Sequence, residues 1–199
     1  APPKRVGHKI EEAAAWKMLY CVSSALAHMH EKGIAHLDVR PANMFQDGEY
    51  VKLGDLGNAA ALTEKDDISE GEERYIPREL VDSEGSTLDL AKADVFSLGA
   101  SLYELCLGRE IASAGEEWHA IRDGDLCTTA LGAYSEKLQQ LARRMLDAVP
   151  SRRPTAEEIV VLAAQELLQK SVKSESVWRT DSIQSVLLRN FVEQAGFRG

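Results

Sequence analysis

The sequence predicts a mainly α-helical domain that contains one small β-hairpin. Apolar residues recur at spacings of three and four over several segments, a pattern typical of amphipathic helices. Asp47-Gly48-Glu49 stands between two short apolar runs, and an Asp-Gly pair in this setting is a strong hairpin signal. With 199 residues the chain is long enough for one well-buried domain and short for two.

The first predicted helix follows an irregular N-terminal segment, residues 1–10. One face of this helix collects apolar residues at alternating spacings of four and three, and Gly33 is expected to end it. The residues of this face are Ala15, Leu19, Val22, Leu26 and Met29.

The hairpin comes next and is predicted to pair Met44 near Val51. This register brings Asn43 and Asp55 to the same end of a two-stranded ribbon. Their side chains carry the oxygen ligands that Mg²⁺ takes from proteins while substrate oxygens complete its shell. Asp38 lies on the loop entering the ribbon, where it can accept or orient a hydroxyl proton, and Arg40 offers fixed positive charge to a phosphate. The arrangement points to phosphoryl transfer.

The remaining elements are a loop and several helices. Residues 63–73 are polar, acidic and aperiodic, which indicates a loop. Residues 90–107 are apolar on almost every face, as expected for a helix at the centre of a domain. Further helices are predicted at 116–121, 135–146 and 155–169. Thr155 and Glu158 form a capping box at the start of the last one.

Several motifs resemble eukaryotic protein kinases in order and spacing. His36–Asn43 followed by Asp55-Leu56-Gly57 resembles their catalytic loop and metal-binding Asp. Arg74–Glu79, Asp94–Gly99 and Pro150–Thr155 resemble the Ala-Pro-Glu element, the start of the central helix and the late Arg-Pro motif.

The resemblance implies a domain organisation. Residues 11–170 would form the large C-terminal lobe of the kinase fold, with the catalytic loop at 36–43, the metal-binding Asp-Leu-Gly at 55–57 and the activation segment at 55–79. Residues 171–199 lie beyond the resemblance, and Ile183, Val186, Leu187 and Phe191 predict a short helix there.

A narrower resemblance is to the Wee/Myt kinases, which phosphorylate and inhibit cyclin-dependent kinases. It rests on the sequences of residues 36–43, 53–57 and 70–75 and on Trp118-His119-Ala120-Ile121-Arg122-Asp123-Gly124. Glu72 stands where common Ser/Thr kinases carry a Thr that contacts the acceptor hydroxyl. An acidic residue there is typical of the Wee group and implies tyrosine as the acceptor.

The resemblance also implies a role for each candidate residue. Asp38 and Arg40 are catalytic, and Asn43 and Asp55 bind Mg²⁺ together with ATP. The substrate-facing activation segment includes Glu72, Arg74 and Tyr75. Structural support comes from His36, Glu79, Asp94 and Arg153.

Composition excludes other classes. The net charge of −9 argues against a nucleic-acid binder, whose affinity comes from Lys and Arg on phosphates. No apolar run approaches a membrane-spanning length. We therefore expect a soluble nuclear or cytoplasmic protein whose partners are ATP and a protein substrate, a cyclin-dependent kinase.

The kinase elements that cover ATP are not found in this sequence. No Gly-x-Gly-x-x-Gly occurs, and the residues before His36 are largely helical in pattern. We expect the N-terminal β lobe to be absent, so that this chain is one part of a longer kinase and transfers negligible phosphate alone. A non-catalytic kinase-like binding module and an ordinary Ser/Thr kinase stay open as alternatives.

Overall fold

A computed structural model of the chain describes residues 7–64, 71–81, 88–126 and 131–173. It confirms the mainly α class with small sheets. The helices are α1 Glu12–Glu31, α2 Arg78–Val81, α3 Leu90–Leu107, α4 Glu116–Arg122, α5 Glu136–Met145 and α6 Ala156–Lys173. The strands are β1 Ile34–Ala35, β2 Met44–Asp47, β3 Tyr50–Leu53 and β4 Ala60–Ala61. Single 3₁₀ turns occupy Pro41–Asn43 and Pro150–Arg152.

Helix α1 forms as its apolar pattern predicts. Ala15, Leu19, Val22 and Leu26 are fully buried on one face and join the main hydrophobic core. Gly33 adopts a positive φ of 75° just after the helix, a conformation that ends helices and favours glycine. The buried face of α1 packs mainly against α6 and the hairpin.

Helix α3 lies at the centre of the domain. The Asp89 side chain accepts a hydrogen bond from the Lys92 backbone N–H and caps its start. Most of its residues are buried, and they include polar ones such as Asp94, Ser97 and Ser101. Because these polar groups cannot face solvent, each must find a partner inside the domain. Ser101 finds one on the catalytic loop, where its hydroxyl donates to the Val39 carbonyl at 3.1 Å.

The hairpin is present, but its predicted register is wrong by two residues. Met44 pairs with Leu53, whereas Gln46 pairs with Val51. The two-residue turn lies one position later than expected, at residues 48–49, because Gly48, with φ 56°, occupies its first position. Strand pairing therefore continues to Asp47 and Tyr50.

A second small sheet was not predicted. Strands β1 and β4 pair antiparallel, with Ile34 opposite Ala61 and Ala35 opposite Ala60. Two-residue strands carry too little periodicity to be recognised in a sequence. This sheet ties the start of the catalytic loop to the chain that follows Asp55.

The C-terminal helices match their predictions within a few residues. Ser135 caps α5 by accepting from the Leu138 N–H. The capping box before α6 is confirmed, because Thr155 N–H donates to Glu158 and Glu158 N–H donates to Thr155. The predicted helix around Ile183–Phe191 and part of the predicted loop, residues 65–70, lie outside the described residues.

Candidate active site

Asp94 holds the start of the catalytic loop. The side chain is fully buried, and its Oδ1 accepts from the Leu37 N–H at 2.8 Å while its Oδ2 accepts from the His36 N–H at 2.8 Å. His30 Nε2 also lies 2.8 Å from Oδ2. A buried carboxylate needs such donors, and here they fix the loop backbone to α3.

His36 links the catalytic loop to the segment that carries Asp55. Its ring is fully buried, with Nδ1 accepting from the Asp38 N–H at 3.3 Å and Nε2 lying 3.1 Å from the Gly54 carbonyl. Because a carbonyl can only accept, this arrangement assigns the ring proton to Nε2. The imidazole therefore couples the backbone of Asp38 to the residue before Asp55.

Leu37 and Asp55 have left-handed backbone conformations, with φ of 62° and 64°. Such conformations are rare for residues other than glycine and concentrate at functional sites. Leu37 is held in place by burial in a small apolar cluster with Ala35 and Leu90. Both strained residues adjoin candidate functional groups.

The Asp38 carboxylate is nearly buried and firmly oriented. Its Oδ2 accepts from Asn43 Nδ2 at 2.7 Å, and Arg40 Nε lies 3.1 Å from Oδ1 and 3.2 Å from Oδ2. Asn43 Nδ2 also donates to the Asp38 carbonyl at 2.9 Å. Since the amide nitrogen of Asn43 is used by Asp38, its oxygen is the atom left for another ligand.

The structure brings Asn43 and Asp55 to the same end of the hairpin. The Asn43 carbonyl accepts from the Gly54 N–H at 3.0 Å, one residue before Asp55. The Asp55 side chain is exposed, and its Oδ1 accepts from the Gly57 N–H at 3.2 Å.

This pair fits magnesium by its donor chemistry. Carboxylate and carboxamide oxygens suit hard divalent cations, and Mg²⁺ takes one or two protein ligands when phosphate oxygens supply others. Within the described residues no group of three or more His, Cys, Asp and Glu could hold a metal ion. Asn43 and Asp55 offer one carboxamide and one carboxylate ligand, a number that a Mg²⁺-nucleotide complex can use.

Glu72 connects the activation segment to the catalytic loop. Its Oε2 lies 3.5 Å from Arg40 Nη1, and its Oε1 lies 2.5 Å from Arg74 Nη1. Arg74 Nη2 in turn lies 3.7 Å from Glu110 Oε2. These side chains are about a third exposed, so each pair contributes little to stability on its own. Their consequence is geometric, because they place a carboxylate beside Arg40.

Tyr75 anchors the same segment in the core. Its hydroxyl donates to Glu104 Oε1 at 2.9 Å, and its carbonyl accepts from the Ser97 hydroxyl at 2.9 Å. Burial and the neighbouring Glu104 raise the pKa of the Tyr75 phenol, and burial also raises the pKa of Glu104. Tyr75 is thus a buried support of the segment, and its hydroxyl points to α3.

Gly71 packs directly on the catalytic loop. A Cβ at this position would lie 2.5 Å from the Leu37 carbonyl and 3.6 Å from Asp38 Oδ1. The first distance is far below van der Waals contact, and the atom concerned is backbone, so any side chain here must displace one of the two segments.

Gly71→Ala is therefore expected to lower the rate of phosphate transfer by the full-length protein about 10²-fold, the loss that a 1 Å misplacement can cause. Steady-state assays on a protein acceptor check this. Gly48→Ala is the control for a strained glycine replacement outside the catalytic loop: the φ of 56° makes Ala unfavourable in this exposed turn, but a Cβ there meets nothing within 4 Å. A Gly71→Ala protein as active as the Gly48→Ala protein would contradict the expectation.

Two site residues were not predicted from the sequence. Glu104 is buried and receives both the Tyr75 hydroxyl and the Ile111 N–H. Arg122 is buried against the activation segment, although it stands in a motif that the sequence had linked only to the Wee/Myt kinases. The one available signal was the four-residue spacing of Trp118 and Arg122, which places both on one helix face.

Comparison with known proteins defines the class. The protein kinase domain family matches residues 4–163, so the chain belongs to the protein kinase family of phosphotransferases. Among the described residues, no helix is long and apolar enough to cross a membrane.

Individual relatives are Wee1-like kinases and related inhibitory kinases. The chain is 38% identical over 160 residues to a Wee1-like protein kinase of Arabidopsis thaliana, covering 80% of the chain and 31% of the relative. It is 37% identical over 146 residues to one of Oryza sativa subsp. japonica, covering 73% and 27%. A membrane-associated tyrosine- and threonine-specific cdc2-inhibitory kinase of Drosophila melanogaster is 31% identical over 170 residues, covering 83% and 31%.

These matches confirm the resemblance to the Wee/Myt kinases. The aligned part spans about a third of the length of each of these relatives, at 31%, 27% and 31%.

Proposed function

We propose that the protein containing this chain transfers the γ-phosphate of ATP to a tyrosine hydroxyl of a cyclin-dependent kinase, and that this inhibits the acceptor and regulates entry into mitosis. The observation that carries the proposal is the hydrogen-bonded set of Asp38, Asn43 and Arg40. The printed name of the Drosophila relative, a cdc2-inhibitory kinase, supports the choice of acceptor. The activity would belong to the nucleus or cytoplasm, where such acceptors act.

Asn43 and Asp55 are the proposed ligands of the Mg²⁺ that accompanies ATP. When bound, the ion neutralises charge on the phosphate oxygens. Asn43 suits this role because Asp38 holds its amide nitrogen at 2.7 Å and thereby orients the amide oxygen. The left-handed backbone of Asp55 presents its carboxylate at the exposed end of the hairpin.

Asp38 is the proposed group that orients the acceptor hydroxyl and receives its proton. Its carboxylate can only accept hydrogen bonds when ionised, and the donors Asn43 and Arg40 hold both of its oxygens in place. The guanidinium of Arg40 adds positive charge where negative charge develops on the transferring group. A planar guanidinium can serve the carboxylate and a phosphate oxygen at once.

Glu72 is the proposed source of acceptor preference. Its carboxylate pairs with Arg40 at 3.5 Å, in the place where common Ser/Thr kinases carry a hydroxyl. This charge pair occupies the space beside the catalytic loop and favours an acceptor hydroxyl that reaches in on a long, rigid side chain. Tyrosine meets that requirement. Threonine is the second candidate, because the Drosophila relative's name includes it.

One assay tests the proposal. The full-length protein is incubated with ATP, Mg²⁺ and a cyclin-dependent kinase whose own activity has been abolished, and mass spectrometry locates the phosphate. We expect phosphotyrosine, which is lost when that tyrosine is replaced by Phe. Phosphate found only on threonine would show that threonine, and not tyrosine, is the acceptor residue. Complex formation without any phosphate transfer would instead identify a non-catalytic binding module.

Because position 37 is a leucine, we expect that the kinase does not require phosphorylation of its activation segment. Most kinases carry an Arg at this place to bind a phosphorylated segment, whereas Leu37 is buried in an apolar cluster against which Leu62 and Leu80 pack. Phosphatase treatment of the full-length protein should therefore leave its activity unchanged. A large loss of activity, restored by rephosphorylating the segment, would contradict this.

A further inference from the structure

Arg122 is a buried cation whose partners are backbone carbonyl groups. Its side chain lies between α4 and the activation segment, and the residue is 1% exposed. Within the described residues it forms no salt bridge, and its Nε has no hydrogen-bond partner. A buried arginine without a carboxylate is costly unless other groups replace its hydration.

Carbonyl oxygens of the activation segment provide that replacement. Arg122 Nη2 donates to the carbonyls of Glu73 at 2.8 Å, Arg74 at 3.2 Å and Ile76 at 2.6 Å. Arg122 Nη1 donates to the Trp118 carbonyl at 3.0 Å. Three of these acceptors belong to one short stretch of backbone, which curves around a single guanidinium.

Trp118 completes the arrangement from the other side. The guanidinium carbon of Arg122 lies 3.6 Å from the centre of the Trp118 ring, a cation–π distance. The indole Nε1–H of Trp118 donates to the Glu73 carbonyl at 2.9 Å, so the two side chains share that acceptor. We call Arg122 and Trp118 together the carbonyl clamp.

The arginine stays charged in this setting. Burial lowers the pKa of Arg122 to about 9, which still leaves it protonated near neutral pH. Its charge therefore strengthens each hydrogen bond to a carbonyl. The charged guanidinium is suited to hold a backbone segment that has no regular secondary structure of its own at residues 73–76.

The clamped carbonyls directly follow Glu72. Glu72 pairs with Arg40 of the catalytic loop at 3.5 Å, so the catalytic loop contacts the residue directly before the carbonyls that the clamp binds. A cavity of about 300 Å³ adjoins the clamp, and its lining includes Glu73, Ile76 and Trp118. Movement of residues 73–76 would change both the Glu72 carboxylate position and the wall of this cavity.

We propose that Arg122 is a positioning residue for the protein acceptor: it fixes the backbone of residues 73–76 and thereby keeps Glu72 beside Arg40. The inference rests on the proposed kinase function for its kinetic consequence. The clamp has no contact with Asn43 or Asp55, the proposed Mg²⁺ ligands. Loss of the clamp should therefore impair use of the protein acceptor and leave ATP handling intact.

The test compares full-length Arg122→Lys with wild type and with Arg144→Lys, the same change at an exposed arginine. For Arg122→Lys we expect kcat/KM for the protein acceptor to fall about 10²-fold, as for a misplacement near 1 Å. The KM for ATP and the slow hydrolysis of ATP without acceptor should stay unchanged. Equal losses in acceptor phosphorylation and ATP hydrolysis, or no loss in either, would overturn the proposal.

A second readout does not depend on activity. Hydrogen exchange followed by mass spectrometry should show faster exchange of amides 71–76 in Arg122→Lys, with α3 unchanged. Unaltered exchange there would overturn the clamp. If the wild-type protein phosphorylates nothing, that result refutes the proposed function, and the exchange measurement still tests the clamp. If Arg122→Lys does not fold, Trp118→Phe decides, because it removes the hydrogen bond to the Glu73 carbonyl and leaves a smaller aromatic ring beside the Arg122 guanidinium. Unchanged exchange and unchanged acceptor KM in Trp118→Phe would then overturn the proposal.

Discussion

Replacing Asp38 with Asn is expected to lower kcat for phosphate transfer about 10²–10⁴-fold, the usual contribution of a general base. Asn keeps the shape of Asp and can still accept from Asn43, but it cannot take the proton of the acceptor hydroxyl. The same change removes the charge that Arg40 contacts at 3.1 Å. The melting temperature of the full-length protein should change little, since the packing volume is preserved.

Asp47→Asn is the matched control for Asp38→Asn. Asp47 lies on the same hairpin region, is well exposed and pairs with Lys52 at 2.5 Å, which lowers the pKa of Asp47. We expect this variant to transfer phosphate at the wild-type rate. An Asp38→Asn protein that keeps wild-type kcat, or that loses activity only together with its melting transition, would show that the role of Asp38 is misassigned.

Arg153→Ala is expected to destabilise the domain by about 3–5 kcal/mol, because it leaves a partly buried carboxylate without its partner. Arg153 Nη1 and Nη2 bind the two oxygens of Glu79 at 2.5 and 3.1 Å, and the Arg153 side chain is 1% exposed. Arg153 Nε also donates to the Asp147 carbonyl at 2.8 Å, and the guanidinium stacks 4.8 Å from the Phe96 ring centre.

Urea unfolding of the full-length protein, followed by tryptophan fluorescence, measures this loss. Arg78→Ala is the matched control, since Arg78 pairs with Asp123 at 2.9 Å on the surface, where both side chains are about half exposed. Such a pair contributes at most about 1 kcal/mol. Activity should fall with stability in Arg153→Ala, because Glu79 anchors α2 at the end of the activation segment. Similar stability losses in the two variants would contradict the assignment of a buried structural pair.

The regular helices could be predicted because their signals are local. The face of Ala15, Leu19 and Val22, the capping box of Thr155 and Glu158, and the continuous apolar pattern of α3 each lie within a few turns of helix. Such patterns determine which residues must be buried before the partner surface is known. For this reason the mainly α class and the helix bounds agreed with the structure to within a few residues.

The hairpin register and the β1–β4 sheet could not be predicted from the same patterns. Moving the turn by one position changes which residues pair, and the sequence Asp47-Gly48-Glu49 permits a two-residue turn at either of two positions. Ile34 and Ala61 pair although they are 27 positions apart in the sequence (61 minus 34). No local signal reports such a contact.

The positions of the candidate site residues could be predicted better than their contacts. The hairpin pattern and the kinase motifs together predicted that Asp38, Asn43 and Asp55 form one functional group. It could not reveal that Asn43 uses its amide nitrogen on Asp38, or that Glu72 reaches Arg40, because both contacts depend on how distant segments fold together. The carbonyl clamp of Arg122 was missed for the same reason, since its acceptors are backbone atoms that the sequence does not distinguish.

We propose that Asp38, Asn43 and Asp55 form one magnesium-dependent centre of phosphoryl transfer. The most direct test is to measure phosphate incorporated into a cyclin-dependent kinase by the full-length protein across a range of Mg²⁺ concentrations, for wild type and Asp55→Asn. We predict transfer by wild type that requires Mg²⁺ and negligible transfer by Asp55→Asn at every concentration. Transfer by wild type without a divalent cation, or an unchanged Mg²⁺ dependence in Asp55→Asn, would contradict the claim.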